Sequence, residues 1–69
     1  MRLRNRTTRE VFDAHWEIPS STEGEPILIA DIDGGPRPIP KALADEYILF
    51  IATLKEMRIG VDHGYTFHP

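Results

Sequence analysis

Between Val11 and Ile18 apolar and polar side chains alternate, with Phe12, Ala14, Trp16 and Ile18 on one side and Asp13, His15 and Glu17 on the other. A period of two with one apolar face predicts a half-buried strand over about residues 10–18. Leu3, flanked by Arg2 and Arg4, predicts a shorter partner strand over 2–5, joined by a turn within Asn5-Arg6-Thr7-Thr8. Pro19 and the polar stretch Ser20–Pro26 break the pattern. Ile27–Ile32 is then almost continuously apolar and rich in β-branched residues, which predicts a strand over 27–33, covered on both faces and central in its sheet. Asp33-Gly34-Gly35 reads as a turn. In Pro36-Arg37-Pro38-Ile39-Pro40 three of five positions lack an N–H, which predicts an extended connector rather than a strand.

From Pro40 the period changes. Leu43, Tyr47, Phe50, Ile51, Leu54 and Met57 recur at intervals of three and four, the apolar stripe of a helix over about 40–58. Pro40 suits its first turn, Asp45 and Glu46 its positive end, Lys55 and Arg58 its negative end, and Gly60 a C-terminal cap. The run Tyr47–Ile51 is also β-prone, so a strand there after a short helical turn is the competing reading. Residues 61–69 form a C-terminal tail. The fold expected is α+β and a single domain over 1–69: a small antiparallel sheet of three to four strands packed against one C-terminal helix. Phe12, Trp16, Leu28, Ala30, Ile32, Leu43, Tyr47, Phe50 and Leu54 would form its core. A small SH3-like barrel is the alternative if Tyr47–Leu54 is strand.

On the helix reading Ile48, Leu49 and Ala52 lie off the main stripe and need a second cover. Either the tail, with Tyr65 and Phe67, folds back over them, or they form the interface of a homodimer. Burial of one Ile or Leu stabilises by about 1.5–3 kcal/mol. A chain of 69 residues buries only about 60% of its unfolded surface, so it is marginal without such help. It has no cysteine, which removes disulfides and thiolate zinc sites and fits a reducing, cytoplasmic setting. No run is long and apolar enough for a membrane span, and no membrane association is expected.

Charge is segregated. Arg2, Arg4, Arg6 and Arg9 are four of the eight basic residues, whereas Glu10–Pro36 holds seven carboxylates and no Lys or Arg. On the strand reading Arg2, Arg4 and Arg9 share a face with Asp13, His15 and Glu17, so part of this imbalance cancels within the sheet. Glu23, Glu25, Asp31 and Asp33 remain, and with Asp13 and Glu17 they are the candidate surface for a basic protein partner. The four arginines are the candidate surface for nucleic acid, although the net charge of −3 and the lack of interleaved aromatics argue against it.

The string Ile27-Leu28-Ile29-Ala30-Asp31-Ile32-Asp33-Gly34 resembles the first motif of haloacid-dehalogenase-type phosphatases, four hydrophobic strand residues followed by Asp-x-Asp-Gly. The resemblance implies a doubly wound sheet, with Asp31 as nucleophile and Asp33 as acid beside magnesium. Gly35 departs from the motif, and only 36 residues follow Asp33 for the rest of that apparatus. An Asp-Gly turn at the end of a strand is the plainer reading. His63 and His68 lie in the tail without a metal-binding pattern, and no Ser or Cys stands in relation to a His and a carboxylate. No catalytic residue, metal or cofactor is therefore expected. The leading expectation is a non-enzymatic interaction module or accessory or inhibitor subunit, homo-oligomeric, presenting its acidic face to a basic protein. Nucleic-acid binding by the arginines is the alternative, and metal-dependent phosphoryl transfer at Asp31 and Asp33 a remote one.

Overall fold

Asn5 decides how the first hairpin closes. Its Oδ1 accepts hydrogen bonds from the N–H groups of Thr7 (2.9 Å) and Thr8 (3.0 Å), and its carbonyl accepts one from Arg9 N–H at 2.8 Å. Such Asx geometry satisfies the donors of a tight loop locally. Arg9 sits at φ 65, in the left-handed region, and Asn5 N–H then donates to the Glu10 carbonyl. The four-residue loop Arg6–Arg9 fixes the register of β1 (Arg2–Asn5) on β2 (Val11–Glu17): Arg2 opposite Asp13, Leu3 opposite Phe12, Arg4 opposite Val11. The structure, a computed structural model, describes residues 1–20 and 24–68. Glu23, one of the expected partner-binding carboxylates, lies outside the described residues.

β2 pairs antiparallel with β3 (Ile27–Ile32), Ala14 opposite Ala30 and Trp16 opposite Leu28. Asp33 and Gly34 follow with φ of 54 and 79, the two positive values that a type I′ turn demands and that an Asp-Gly pair accepts. The chain then returns as β4 (Gly35–Pro38), where only a connector is expected from three prolines. The register removes the conflict. Ile39 N–H bonds to the Leu28 carbonyl, so Gly35, Arg37 and Ile39 face β3, and Pro36 and Pro38 face outward. A proline costs no ladder bond at an outward position of an edge strand.

The helix expected over 40–58 is the main correction. Lys41–Glu46 is a 3-10 helix, Tyr47–Phe50 is a strand (β5), and the only α-helix of the described residues is α1, Leu54–Asp62. β5 pairs antiparallel with β1, Leu49 opposite Leu3. Without it β1 would expose a free edge, and that tertiary demand outweighs the helical spacing of Tyr47, Phe50 and Ile51. A capping box opens α1: Glu56 N–H donates to Thr53 Oγ1 (3.1 Å) and Thr53 N–H to Glu56 Oε1 (2.9 Å). The residue that caps the helix C-terminus is Gly64 rather than Gly60. Gly64 has φ 84, and the bonds Gly64 N–H to Val61 O and Tyr65 N–H to Gly60 O make a Schellman closure.

The result is one five-stranded antiparallel sheet in the order β4-β3-β2-β1-β5, with one C-terminal helix. The α+β class holds, with five strands instead of three to four. The doubly wound parallel sheet implied by the phosphatase resemblance is not the arrangement of the described strands. β2, not β3, is the central strand. Leu3, Ala14, Leu28, Ala30, Ile39, Ala44, Tyr47 and Tyr65 form the core on one face, with Phe12, Trp16, Ile32 and Phe67 packed against it. Of the expected core, Leu43 and Leu54 are exposed, Leu54 at 77%. Phe50 is half-buried and, by register, lies beside Arg2 on the other face. Trp16 ties α1 down, its Nε1–H donating to the Glu56 carbonyl at 3.0 Å. Gly60 makes that approach possible, since a Cβ there would lie 3.2 Å from the Trp16 ring and 3.1 Å from Phe67. No helix of the described residues is long and apolar enough to cross a membrane.

Candidate functional site: an apolar groove at the β5 edge

β5 is an edge strand. Glu46 accepts from Arg6 N–H in the register of the β1–β5 ladder, so Ile48 and Phe50 bond to β1, and Tyr47 and Leu49 face outward. Tyr47 is used locally: its N–H donates to the Ala44 carbonyl, and its carbonyl accepts from His68 N–H at 2.9 Å. Leu49 has no outward backbone partner among the described residues. Ile51 would be the next outward position. Its φ of 50 turns the chain away there, a conformation that a β-branched side chain adopts at a cost.

Beside Leu49 lies a groove of about 500 Å³. Met57 and Val61 of α1 form one wall, and the tail Gly64–His68 with Tyr65 and Phe67 forms the other. The tail folds back, but against Trp16, Gly60 and the Tyr47 carbonyl rather than over a second face of the helix expected at 40–58. Tyr65 is buried, edge-on to Trp16 at 4.9 Å between ring centroids and stacked on Phe67 at 6.2 Å. Leu54, Met57 and Val61 follow at helical spacing along the outer side of α1, Val61 being 74% exposed. The helix expected over 40–58 begins 14 residues before the observed Leu54 and stops short of Val61, so only Leu54 and Met57 of this stripe are legible in the sequence. The capping box Thr53-x-x-Glu56 was the signal for its true start.

His68 also lines a second hollow, of about 220 Å³, with Arg4, Asn5, Arg6, Arg9 and Ile48. Its Nδ1 is buried without a hydrogen-bond partner.

The expected site residues do not gather. Asp13 is paired with Arg2 at 3.3 Å, the internal charge match anticipated for this face. Glu17 lies 3.5 Å from His15, and Lys41 bonds Glu25 at 2.9 Å and so holds its carboxyl below the usual range. Asp31 lies on β3 and Asp33 in the I′ turn; neither has an ion-pair partner among the described residues. No group of three or more His, Asp or Glu side chains among the described residues is placed to hold a metal. Ile48, Leu49 and Ala52 share no helix face. Ile48 and Leu49 alternate across β5, and Ala52 follows the strand.

No family model, curated protein or solved structure matches this chain.

What this geometry can do follows from its parts. An edge residue with a free N–H and C=O, next to an apolar trough, offers main-chain pairing and side-chain burial to an extended chain. Thr66, Tyr65 and His68 bring the polar side chains of the lining, and no metal-holding cluster lies there among the described residues.

Proposed function

We infer that this protein is a small interaction module that receives an extended apolar segment of a partner protein along β5. The observation that carries the reading is the open backbone of Leu49 at the floor of the groove walled by Met57, Val61 and Phe67. The segment adds a short strand to the sheet and buries alternate side chains against α1 and the tail, the recognition mode of β-strand addition. The expected acidic surface is secondary in this reading. Asp13 and Glu25 are already engaged by Arg2 and Lys41, and the unpaired Asp31 and Asp33 lie toward the opposite edge of the sheet. In fold, the return of β5 beside β1 after a 3-10 helix supports reading the five strands as a partly open SH3-like barrel.

The test is selection from a random peptide library on the full chain, with the chosen peptides mapped by amide chemical shifts. Shifts centred on Leu49, Met57–Val61 and Tyr65–His68 are expected, and Val61→Lys should abolish them while leaving the fold intact, because Val61 is exposed. Peptides that map instead to Asp31 and Asp33, or that bind Val61→Lys unchanged, overturn the reading. Self-association that Val61→Lys removes would identify a second copy of the chain as the partner.

A further inference from the structure

The first hairpin carries a feature that neither packing nor the groove uses. Arg4, Arg6 and Arg9 converge on the hollow of about 220 Å³ completed by Asn5, Ile48 and His68. Arg2, the other arginine of this segment, is neutralised by Asp13. Among the described residues none of the three converging arginines has a carboxylate partner, and the one side-chain bond they make is from Arg6 Nη1 to the Asp45 carbonyl at 3.3 Å. Glu10 and Glu46, whose carbonyls bond Asn5 and Arg6, do not line the hollow. Three arginines lining one concavity repel each other, and no ion pair among the described residues offsets this.

Arg9 adds a second, independent observation. The last position of this four-residue loop requires a left-handed backbone, at which glycine or asparagine is the residue of least cost. Arg9 takes that conformation at φ 65 and contributes no core contact. What its presence supplies is a third arginine in the lining of the hollow. His68, whose Nδ1 is buried and unpartnered, lines it too.

We propose that this hollow is a binding site for a phosphoryl group, carried by a free phosphate ester or by a phosphorylated side chain. A tetrahedral dianion offers several oxygen acceptors, enough for three planar forks at once, whereas one carboxylate is satisfied by a single arginine. The concavity accommodates one compact anion, and the sheet face beyond it carries Asp31 and Glu17, which repel a long polyanion.

The experiment is an amide-detected NMR titration of the full chain with sodium phosphate at constant ionic strength, sodium chloride serving as the blank. Phosphate should produce saturable shifts at Asn5–Arg9, Ile48 and His68. Arg9→Gly removes a guanidinium and relieves the backbone, so the fold survives while affinity falls by about tenfold or more. Arg4→Gln should lose a similar factor, and Arg9→Lys should keep most of the binding. Phenyl phosphate and a phosphoserine peptide separate the two sources. Preference for the peptide assigns the group to a protein, and equal binding to all three assigns it to a free ester. Non-saturable shifts, or an affinity unchanged in Arg9→Gly, overturn the site. So does binding of a single-stranded oligonucleotide that strengthens with length and depends equally on Arg2, which would make the arginines a nucleic-acid track.

Discussion

At the β4 edge the outward positions are Pro36 and Pro38, which carry no N–H. At the β5 edge they are Tyr47 and Leu49, and only Tyr47 has outward backbone partners among the described residues. One sheet therefore treats its two edges differently. A row of carbonyls without donors is a poor template for another strand, so β4 is closed to pairing by composition. β5 is closed at Tyr47 by the tail and left open at Leu49, where α1 and the tail build walls beside it. An unpaired edge in so small a sheet is therefore not a uniform defect. Where donors are deleted it is protected, and where an apolar trough is placed beside it, it carries the partner surface that we propose.

The groove beside β5 depends most on the anchor of α1. Trp16→Ala removes the indole bond to Glu56 and the ring that Gly60 and Tyr65 pack against, and should cost about 3 kcal/mol. For a domain of this size that is a large part of the total stability, so chemical denaturation should show a partly unfolded population and the groove should be lost with it. Next come the two ends of α1. Thr53→Ala deletes a cap worth about 1 kcal/mol. Gly64→Ala forces a side chain into the left-handed region at a cost of about 1 kcal/mol. Denaturation midpoints of the single and double variants should show that the two add, since the sites share no contact. Thr53→Ser should behave as the parent.

A sharper test addresses β4 alone. The double substitution Pro36→Ala and Pro38→Ala restores two outward donors and should change stability by about 1 kcal/mol or less at each position. Light scattering should nevertheless detect self-association of the double variant, and a variant as monomeric as its parent would show that missing donors are not what protects that edge. The smallest effect concerns pH. Glu56 is held below the usual carboxyl value of 4.5, first by the Thr53 N–H that it accepts and also by the Met1 amino group 3.6 Å away. Its ionised form therefore belongs to the folded state. The contribution is complete above pH 4.5 and fades as pH falls through the lower folded value. In Glu56→Gln the acid limb of the stability profile should flatten, leaving the part that Glu25 owes to Lys41.

Much of the first half was legible because its signals are local. The alternation of Phe12, Ala14 and Trp16 needs only a pleated strand with one covered face, and Asp33-Gly34 needs only two residues at positive φ. Even the cancellation of Arg2 by Asp13 follows once the loop is given four residues. The second half was less legible because its signals compete. Tyr47–Phe50 satisfies both the spacing of a helix and the composition of a strand, and the choice between them rests on β1, more than forty residues earlier in the chain. Thr53 and Glu56 marked the true start of α1 but lay inside a longer apolar pattern that read through them. The prolines of β4 predict only an extended connector because their meaning depends on which way each one faces, and only the pairing with β3 supplies that.

By itself, then, the sequence determined the α+β class, the strands β1 to β3, the I′ turn and the segregation of charge, since each depends on neighbours a few residues away. The tertiary structure decided the identity of β5, the strand character of β4, the burial of Tyr65 and the place of the arginines around His68. Those follow from which backbone groups still lacked a partner after the local elements had formed. A short chain has few ways of supplying one.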